Sequence, residues 1–265
     1  MGQMFEENFK SLGKEVIISD EFTSSAVERE LVESSDMVIV SVPIEKTAGV
    51  IERINPWLTE DHLLSDFCSV KSHVIPVMIK SKASVISCHP MFGAMPNLSK
   101  QNIILLPVKQ NGFLKECSQL YQDLDLNVVV IDDWKKHDES MSIIQGLMHF
   151  FHIVFTQTLK QKNIDLETLL SICSPVYQAN FAFTCRILQR DPSLYTHILM
   201  ENPENPKILS EFIDQAKASL KLIDEKDEKT FQKNFMEYRE YLGDFGKVFS
   251  SQSDYLVEKI KEYTP

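Results

Sequence analysis

The chain has 265 residues, of which 43% are hydrophobic and 25% charged, as is normal for a globular protein of one large or two ordinary domains. Its formal net charge of −11 argues against a nucleic-acid or anionic-membrane partner, because both require a basic face. Five cysteines without a CxxC pair, and the lack of an apolar stretch of about 18 residues, predict a cytoplasmic protein with reduced thiols and no transmembrane helix.

Up to about Asp133, short β-branched runs alternate with amphipathic patterns of helical period. The predicted strands are Glu15–Ser19, Met37–Val42, Leu63–Phe67, Ser84–Cys88, Ile103–Pro107 and Asn127–Ile131. A predicted helix, Gln3–Leu12, precedes the first strand, and the predicted helices between the strands are Ser24–Val32, Lys46–Ile54, Ser72–Lys80 and Gly112–Leu124. This alternation predicts βαβ units and a mainly parallel sheet, that is, an α/β fold of the Rossmann type.

After Asp133 the patterns are helical throughout, so we predict an α/β domain over 1–133 and an all-α domain over 134–265. The run from His137 to Lys160 is apolar on most faces, which predicts burial between domains or subunits. The further predicted helices are Asp165–Ile172, Pro175–Gln189, Ser193–Met200, Pro206–Glu225, Glu228–Ser250 and Asp254–Tyr263.

Gly2 and Asp20 have the spacing of part of a dinucleotide-binding unit. In such units a glycine lets the pyrophosphate approach a helix N-terminus, and an acidic residue after the next strand binds the ribose hydroxyls. The first strand and two earlier glycines are missing from the sequence as given. We therefore expect the chain to begin inside its phosphate-binding loop, with unpaired strand edges. The alternative is that both are ordinary loop residues.

Two polar segments follow predicted buried strands. Each places polar side chains at the carboxyl end of the sheet, where such sheets bind ligands. One contains Ser69 and Lys71, and the other contains His89, followed by a turn built by Pro90 and Gly93. Together they form a candidate acid/base site. Taken singly, a histidine after a strand is more often structural, a loop serine caps a helix, and a loop lysine is solvated.

Two further residues carry candidate functions in the helical half. Arg186 lies in an otherwise apolar helix, which predicts a buried guanidinium paired either with an internal carboxylate or with a substrate carboxylate. His149 is either a hydrogen-bonded core residue or a site residue. No metal site is predicted, because His137 and His149 are more than three helical turns apart and no carboxylate completes a ligand set.

Several stretches resemble the prephenate dehydrogenases of tyrosine biosynthesis, in particular the dehydrogenase portion of the bacterial chorismate mutase/prephenate dehydrogenase proteins. The stretches are Asp36–Ile44, Ser69–Lys71, His89–Ala94, His137–Met141, Ile144–Phe150, Ser174–Tyr177, Arg186–Leu188, Asp191-Pro192 and Leu194-Tyr195. The resemblance covers essentially the whole chain and implies a Rossmann-type domain followed by a helical domain that forms a homodimer.

The resemblance also implies a reaction, the NAD-dependent oxidative decarboxylation of prephenate to 4-hydroxyphenylpyruvate. It assigns roles to residues as follows: His89 accepts the proton of the 4-hydroxyl, Ser69 and Lys71 support it, Arg186 holds the ring carboxylate, His149 and Tyr195 line the substrate pocket, and Asp20 with Ser41, Val42 and Pro43 contacts NAD.

Two departures from the family pattern stand out: the glycine fingerprint is reduced to Gly2, and Gln178 replaces an arginine. The alternatives to a prephenate dehydrogenase are an arogenate dehydrogenase, whose substrate has an amine in place of the side-chain keto group, and a catalytically silent dimeric tyrosine-binding or assembly module.

Overall fold

The computed structural model of the chain describes residues 1–95, 97–109 and 111–262. These residues form two compact units. The first comprises Met1–Ser142 together with Ser193–Glu204, and the second comprises Ile143–Pro192 together with the helices from Asn205 onward. In the described part of the chain, no helix combines the length and apolarity needed to cross a membrane.

The first unit is a five-stranded sheet flanked by helices. Its strands are β1 (Met37–Val40), β2 (Leu63–Asp66), β3 (Ser84–Pro90), β4 (Asn102–Lys109) and β5 (Asn127–Val130). Its helices are α1 (Gly2–Ser11), α2 (Ser25–Glu33), α3 (Ile44–Ile54), α4 (Lys71–Met78), α5 (Leu114–Gln122), α6 (Trp134–Met141) and α10 (Pro192–Glu201).

The strands lie in the order β1-β2-β3-β4-β5, and all neighbours are parallel except β3 and β4. Alternate residues of the buried strands face opposite sides of the sheet. On one side, Leu64 and Val85 join a core with α3, α4 and Ile198 of α10. On the other side, Leu63 and Ile86 join a core with α1 and α5. The sheet is therefore covered on both faces, as the alternating pattern predicts.

The first predicted strand, Glu15–Ser19, is wrong: residues 14–20 have no regular secondary structure. Strands exist by pairing, and in the described chain β1 is the end strand of the sheet and pairs with β2 alone. Ile17 and Ile18 are consequently 56% and 45% exposed. The other five predicted strands are present, with ends that differ by one or two residues.

The second unit is helical. Its helices are α7 (Met148–Gln161), α8 (Leu166–Ile172), α9 (Pro175–Leu188), α11 (Asn205–Glu225) and α12 (Glu228–Glu262). α9 packs against α7 and α12, and α11 packs against α12. The two helices predicted at the end of the chain correspond to α12, which is interrupted at Gly243, where φ is a left-handed 52°, and not between Ser250 and Asp254 as predicted. The predicted last residue, Tyr263, lies outside the described residues.

A π-helical segment, Ser142–Leu147, joins α6 to α7. Within it, a Cβ on Gly146 would clash with the side-chain oxygen of the buried Asn205 at the start of α11. A side chain at position 146 would therefore require the Asn205 side chain to shift. In the single chain, Ile143 and Ile144 of the π-helical segment are each 53% exposed, although the sequence predicts burial there.

Candidate active site

Polar side chains gather at the carboxyl ends of β2 and β3. Asp66 is the last residue of β2, and Ser87 and His89 belong to β3, which pairs with β2 in parallel. All three residues are buried, His89 with 1% of its surface exposed. The Ser87 hydroxyl donates to Asp66 Oδ1 at 2.5 Å, which ties the two strand ends together.

Lys71, the first residue of α4, forms a buried ion pair with Asp66. Both side chains have no exposed surface, and Lys71 Nζ lies 3.0 Å from Asp66 Oδ2. The same ammonium donates to the Cys88 carbonyl oxygen at 2.7 Å, and the Cys68 backbone N–H donates to Asp66 Oδ2 at 2.7 Å. Each buried charge is thus matched by an opposite charge and by further hydrogen bonds, as burial requires. Lys71 fixes the strand residue that precedes His89.

Asp138 of α6 caps the N-terminus of α4. Its Oδ1 accepts from the Lys71 backbone N–H at 3.0 Å, and its Oδ2 accepts from the Ser72 N–H at 2.7 Å. The Asn202 amide in turn donates to the Asp138 carbonyl oxygen at 2.9 Å. A carboxylate satisfies the unpaired N–H groups of a helix start and is favoured by the helix dipole. Ser69, which the local sequence suggests as a cap, does not perform this role.

His89, His137 and Asp138 form a chain of hydrogen bonds. His89 Nδ1 lies 2.9 Å from His137 Nε2, and His137 Nδ1 lies 2.9 Å from Asp138 Oδ1. The two rings meet edge to face, with centroids 5.1 Å apart. All three residues are buried. An imidazole held by a second group in this way is the arrangement expected of a general base.

The electrostatics keep both rings neutral. Burial, and then the nearby His137 and Lys71, lower the pKa of His89 well below its usual value. Burial also lowers the pKa of His137, although its hydrogen bond to Asp138 acts in the opposite direction. For Asp138, burial acts to raise the pKa, but hydrogen bonds from His137 and from the Lys71 and Ser72 backbone outweigh it and lower the pKa. Asp138 is therefore ionised beside two neutral imidazoles.

Two further candidates lie in the first unit. Ser69 is half-buried in the bend between β2 and α4. Tyr195 is half-buried on α10, a helix tied to the sheet layer by the approach of His197 to Glu45 at 3.5 Å and of His73 to Glu201 at 3.7 Å. α10 joins the first unit although the sequence predicts an uninterrupted second domain from residue 134.

Two candidates lie in the second unit. Arg186 of α9 is exposed, so the expectation that it is buried is wrong: its face of α9 is not covered within the single chain. No ion pair of Arg186 occurs among the described residues. His149 of α7 is half-buried, and burial together with the nearby His152 lowers its pKa to about 4. His152 itself is a core residue hydrogen-bonded to Thr184 at 2.8 Å.

Two of the predicted nucleotide-contacting residues, Gly2 and Ser41, lie next to each other at the start of α1. Gly2 opens this helix, and a Cβ placed on it would lie 3.5 Å from the Ser41 side chain, directly after β1. Val42 and Pro43 are exposed in the same turn. Asp20 is exposed, and its Oδ1 accepts from the Phe22 N–H at 3.0 Å. A helix N-terminus beside the carboxyl end of a strand is the local geometry that binds pyrophosphates.

Sequence reasoning assigned no role to Asp66, His137 or Asp138. Asp66 is the exception that the sequence could have revealed, since a carboxylate at the end of a predicted buried strand needs a buried cation. His137 and Asp138 are 48 and 66 to 67 residues away from their partners, so no local spacing connects them. The only signal for them in the sequence is that both lie in His137–Met141, one of the stretches that carry the family resemblance.

Two family models match this chain in succession. The first, "Prephenate dehydrogenase, nucleotide-binding domain", matches residues 4–130, and the second, "Prephenate dehydrogenase, dimerization domain", matches residues 133–237. Together they span most of the chain.

Curated relatives agree with these matches. A protein of Methanocaldococcus jannaschii named "Probable arogenate/prephenate dehydrogenase" is 34% identical over 258 residues, which cover 95% of this chain and 57% of the relative. The "T-protein" of Haemophilus influenzae is 29% identical over 272 residues, covering 99% of this chain and 70% of that protein. This chain therefore spans between about half and three quarters of the length of these relatives.

Solved structures share the fold. A prephenate dehydrogenase from A. aeolicus, in complex with hydroxyphenyl propionate and NAD⁺, superposes with a TM-score of 0.68 at 21% identity, covering 91% of this chain and 85% of that one. An arogenate dehydrogenase from Synechocystis superposes with a TM-score of 0.65 at 18% identity, covering 83% and 81%. At these identities the likeness establishes the architecture.

The buried ion pair generates a stability prediction. Lys71→Met should lower the free energy of unfolding by about 3–5 kcal/mol, because it leaves the Asp66 carboxylate buried without its cation. Urea denaturation followed by circular dichroism measures this change.

Lys46→Met is the matched control, since Lys46 forms an exposed pair with Glu21 at 3.8 Å. We expect a change of less than about 0.5 kcal/mol for that variant. A loss of stability no larger for Lys71→Met than for Lys46→Met would contradict the role assigned to the buried pair.

Proposed function

The chain belongs to the prephenate dehydrogenase family, and we propose that it catalyses the NAD-dependent oxidative decarboxylation of prephenate to 4-hydroxyphenylpyruvate. The observation that carries this proposal is the buried, neutral His89 held by His137 at the carboxyl ends of the strands. Prephenate offers this imidazole a 4-hydroxyl, which must lose its proton, at least transiently, as the ring is oxidised.

His89 is proposed as the general base. Because burial keeps its ring neutral, it can accept the hydroxyl proton while the C4–O bond gains carbonyl character. The proton returns to the oxygen when CO₂ leaves and the ring becomes aromatic, so the histidine ends the reaction unchanged. Ser69 is proposed to orient the hydroxyl or the ring, and Lys71 to support the site through the Cys88 carbonyl.

The start of α1 and the exposed Asp20 are proposed to contact a dinucleotide. Gly2 leaves the helix N-terminus open beside Ser41, and Asp20 presents an exposed carboxylate that can accept the ribose hydroxyls, which favours NAD over NADP. Val42 and Pro43 would complete the contact surface of the turn after β1. When bound, the nicotinamide supplies the acceptor for the hydride that leaves C4.

Arg186 is proposed to hold the ring carboxylate of the substrate. Its exposed guanidinium has no ion-pair partner among the described residues, so it can form a bidentate contact with an incoming carboxylate. Fixing the carboxylate before it departs as CO₂ orients the ring for reaction. His149 and Tyr195 are proposed to line the substrate pocket.

Arogenate is the second candidate substrate, because the Methanocaldococcus jannaschii relative carries both substrates in its name. Arogenate shares the 4-hydroxyl and the ring carboxylate with prephenate, so the residues discussed above serve either molecule. Steady-state kinetics with both substrates decides between them, and a strong preference for arogenate would overturn our first choice.

All five cysteines are free thiols, which supports a reducing, cytoplasmic location as part of the proposal.

We also propose that the chain forms a homodimer through its helical part. The matched family model is that of a dimerization domain, and within it Phe235 and Met236 of α12 are 57% and 56% exposed in the single chain. Large apolar surfaces of this kind are typical of protein–protein contacts.

His89→Asn tests the catalytic role. Turnover of prephenate should fall by about 100-fold or more, while KM changes little, because the amide cannot act as a base but fills similar space. The assay is the appearance of NADH by absorbance. In the parent protein, kcat/KM should stay level as the pH falls through 6.5, the usual pKa of histidine, and decline at lower pH, since the lowered pKa preserves the neutral ring.

His62→Asn is the control for this variant, because His62 is likewise buried but lies before β2, at the other end of that strand, where it bonds to Thr59. Equal effects of the two substitutions on turnover would refute the role of His89.

Arg186→Ala tests substrate binding. It should raise KM for prephenate by at least tenfold, with a smaller effect on KM for NAD⁺, since it removes a charge-assisted contact to a carboxylate. Arg190→Ala, which removes an exposed arginine just after the same helix, is the control and should leave both constants unchanged. An unaltered KM in Arg186→Ala would rule out the contact.

Phe235→Glu tests the dimer. Sedimentation velocity of the parent protein should give twice the chain mass of 30.5 kDa, and the variant should shift towards the monomer because a charge replaces an apolar contact. Gln232→Glu adds the same charge at an exposed polar position of α12 and should remain dimeric. A monomeric parent protein at micromolar concentration would reject this part of the proposal.

A further inference from the structure

The bonding pattern around His89 determines where its protons lie. Asp138 Oδ1 is 2.9 Å from His137 Nδ1, and the two Asp138 oxygens also accept the backbone N–H groups of Lys71 and Ser72. An ionised carboxylate has no proton to donate, so His137 must carry its proton on Nδ1.

The donor and acceptor roles of His89 follow from those of His137. A neutral imidazole has one N–H, so His137 Nε2 is an acceptor, and His89 Nδ1, at 2.9 Å from it, must be the donor. The lone pair of His89 therefore lies on Nε2. Two hydrogen bonds, whose directions are fixed by the Asp138 carboxylate, therefore select the Nδ1–H tautomer of His89.

The carboxylate itself is firmly held. Besides accepting three N–H groups, Asp138 lies on α6, where the amide of Asn202 grips its carbonyl oxygen at 2.9 Å. Asp138 and His137 are 1% and 0% exposed, so water does not compete for these bonds. The charged groups that act on the two rings include Asp138 on α6, Lys71 on α4 and Asp66 at the end of β2.

We propose that His137 and Asp138 are positioning residues, which hold His89 as the Nδ1–H tautomer so that Nε2 is the proton acceptor. This inference rests on the proposed function for its kinetic consequences. As the O–H bond of the substrate hydroxyl breaks, an Nε2–H bond forms, and the hydride leaves C4 for the nicotinamide. The electron pair of the breaking bond to CO₂ enters the ring, and the proton returns to the phenolic oxygen.

The hydrogen bonds from His89 through His137 to Asp138 also remain in place when His89 becomes a transient imidazolium. The Nδ1–H of His89 donates to His137 Nε2, and His137 Nδ1–H donates to the Asp138 carboxylate. The acceptor of the His89 Nδ1–H bond is thus the same in both protonation states of His89, so no group has to reorient when the proton moves.

The first experiment reads the tautomer without any substrate. Long-range ¹⁵N–¹H correlation spectra of ¹⁵N-histidine-labelled protein show which ring nitrogen carries the proton, and the spectrum of His89→Asn identifies the His89 signals. We expect N–H on Nδ1 in the parent protein. In His137→Phe the acceptor of the His89 Nδ1–H bond is absent, so we expect the fraction of His89 that carries its proton on Nε2 to rise.

The second experiment measures kinetics on the full chain. His137→Gln and Asp138→Asn should lower kcat by about 10- to 100-fold while KM for prephenate changes less than about twofold, because the base is misdirected and the substrate contacts are retained. His62→Gln serves as the control with unchanged kinetics. Melting curves by circular dichroism establish that each variant is folded.

The outcomes are separable. A parent spectrum with the His89 proton on Nε2 overturns the positioning proposal whatever the kinetics, and so does unaltered kcat in a folded His137→Gln variant. If the parent protein turns over neither prephenate nor arogenate, the proposed function fails, while the parent spectrum still decides the tautomer. Should a variant fail to fold, the parent spectrum remains decisive.

Discussion

The carboxyl end of the sheet depends on one buried pair of charges, Lys71 and Asp66. Removing charges from water is costly, and the cost is met here by the 3.0 Å contact between the two groups and by bonds to Ser87, Cys68 and the Cys88 carbonyl. Since Asp66 ends β2, Cys68 follows it, and Ser87 and Cys88 belong to β3, the pair ties the ends of the two strands together. His89 follows Cys88 directly, so its position follows from theirs.

A second carboxylate, Asp138, links this arrangement to the histidines. The same group caps α4 through the Lys71 and Ser72 backbone and accepts a bond from His137. One side chain thus serves a helix terminus and a pair of imidazole rings at once. The rings stay neutral because burial opposes their charged forms, and neutrality is what a base requires at physiological pH.

The sequence predicted the elements well where hydrophobic period and burial agree. The strands Leu63–Asp66 and Ser84–Pro90 and the helix Pro175–Leu188 are examples. It failed for Glu15–Ser19, because a strand depends on a neighbour that its own residues cannot specify. It also failed for Arg186, because an apolar helix pattern does not say whether its face is covered by the same chain. For the site, His89 and Lys71 stood out locally, whereas Asp138 and His137 reach them across long separations that a local pattern does not encode.

The placement of α10 has a consequence for how this protein can be divided. The polypeptide passes from the first unit to the second after Ser142, returns at Ser193 and leaves again after Glu204. Ile198, on the returning segment, completes the hydrophobic layer formed by α3 and α4. A fragment cut after the last strand would therefore lack part of its own core, and neither unit can be exchanged between relatives by a single crossover. Separating the two units would require cuts at three positions of the chain, after Ser142, before Ser193 and after Glu204.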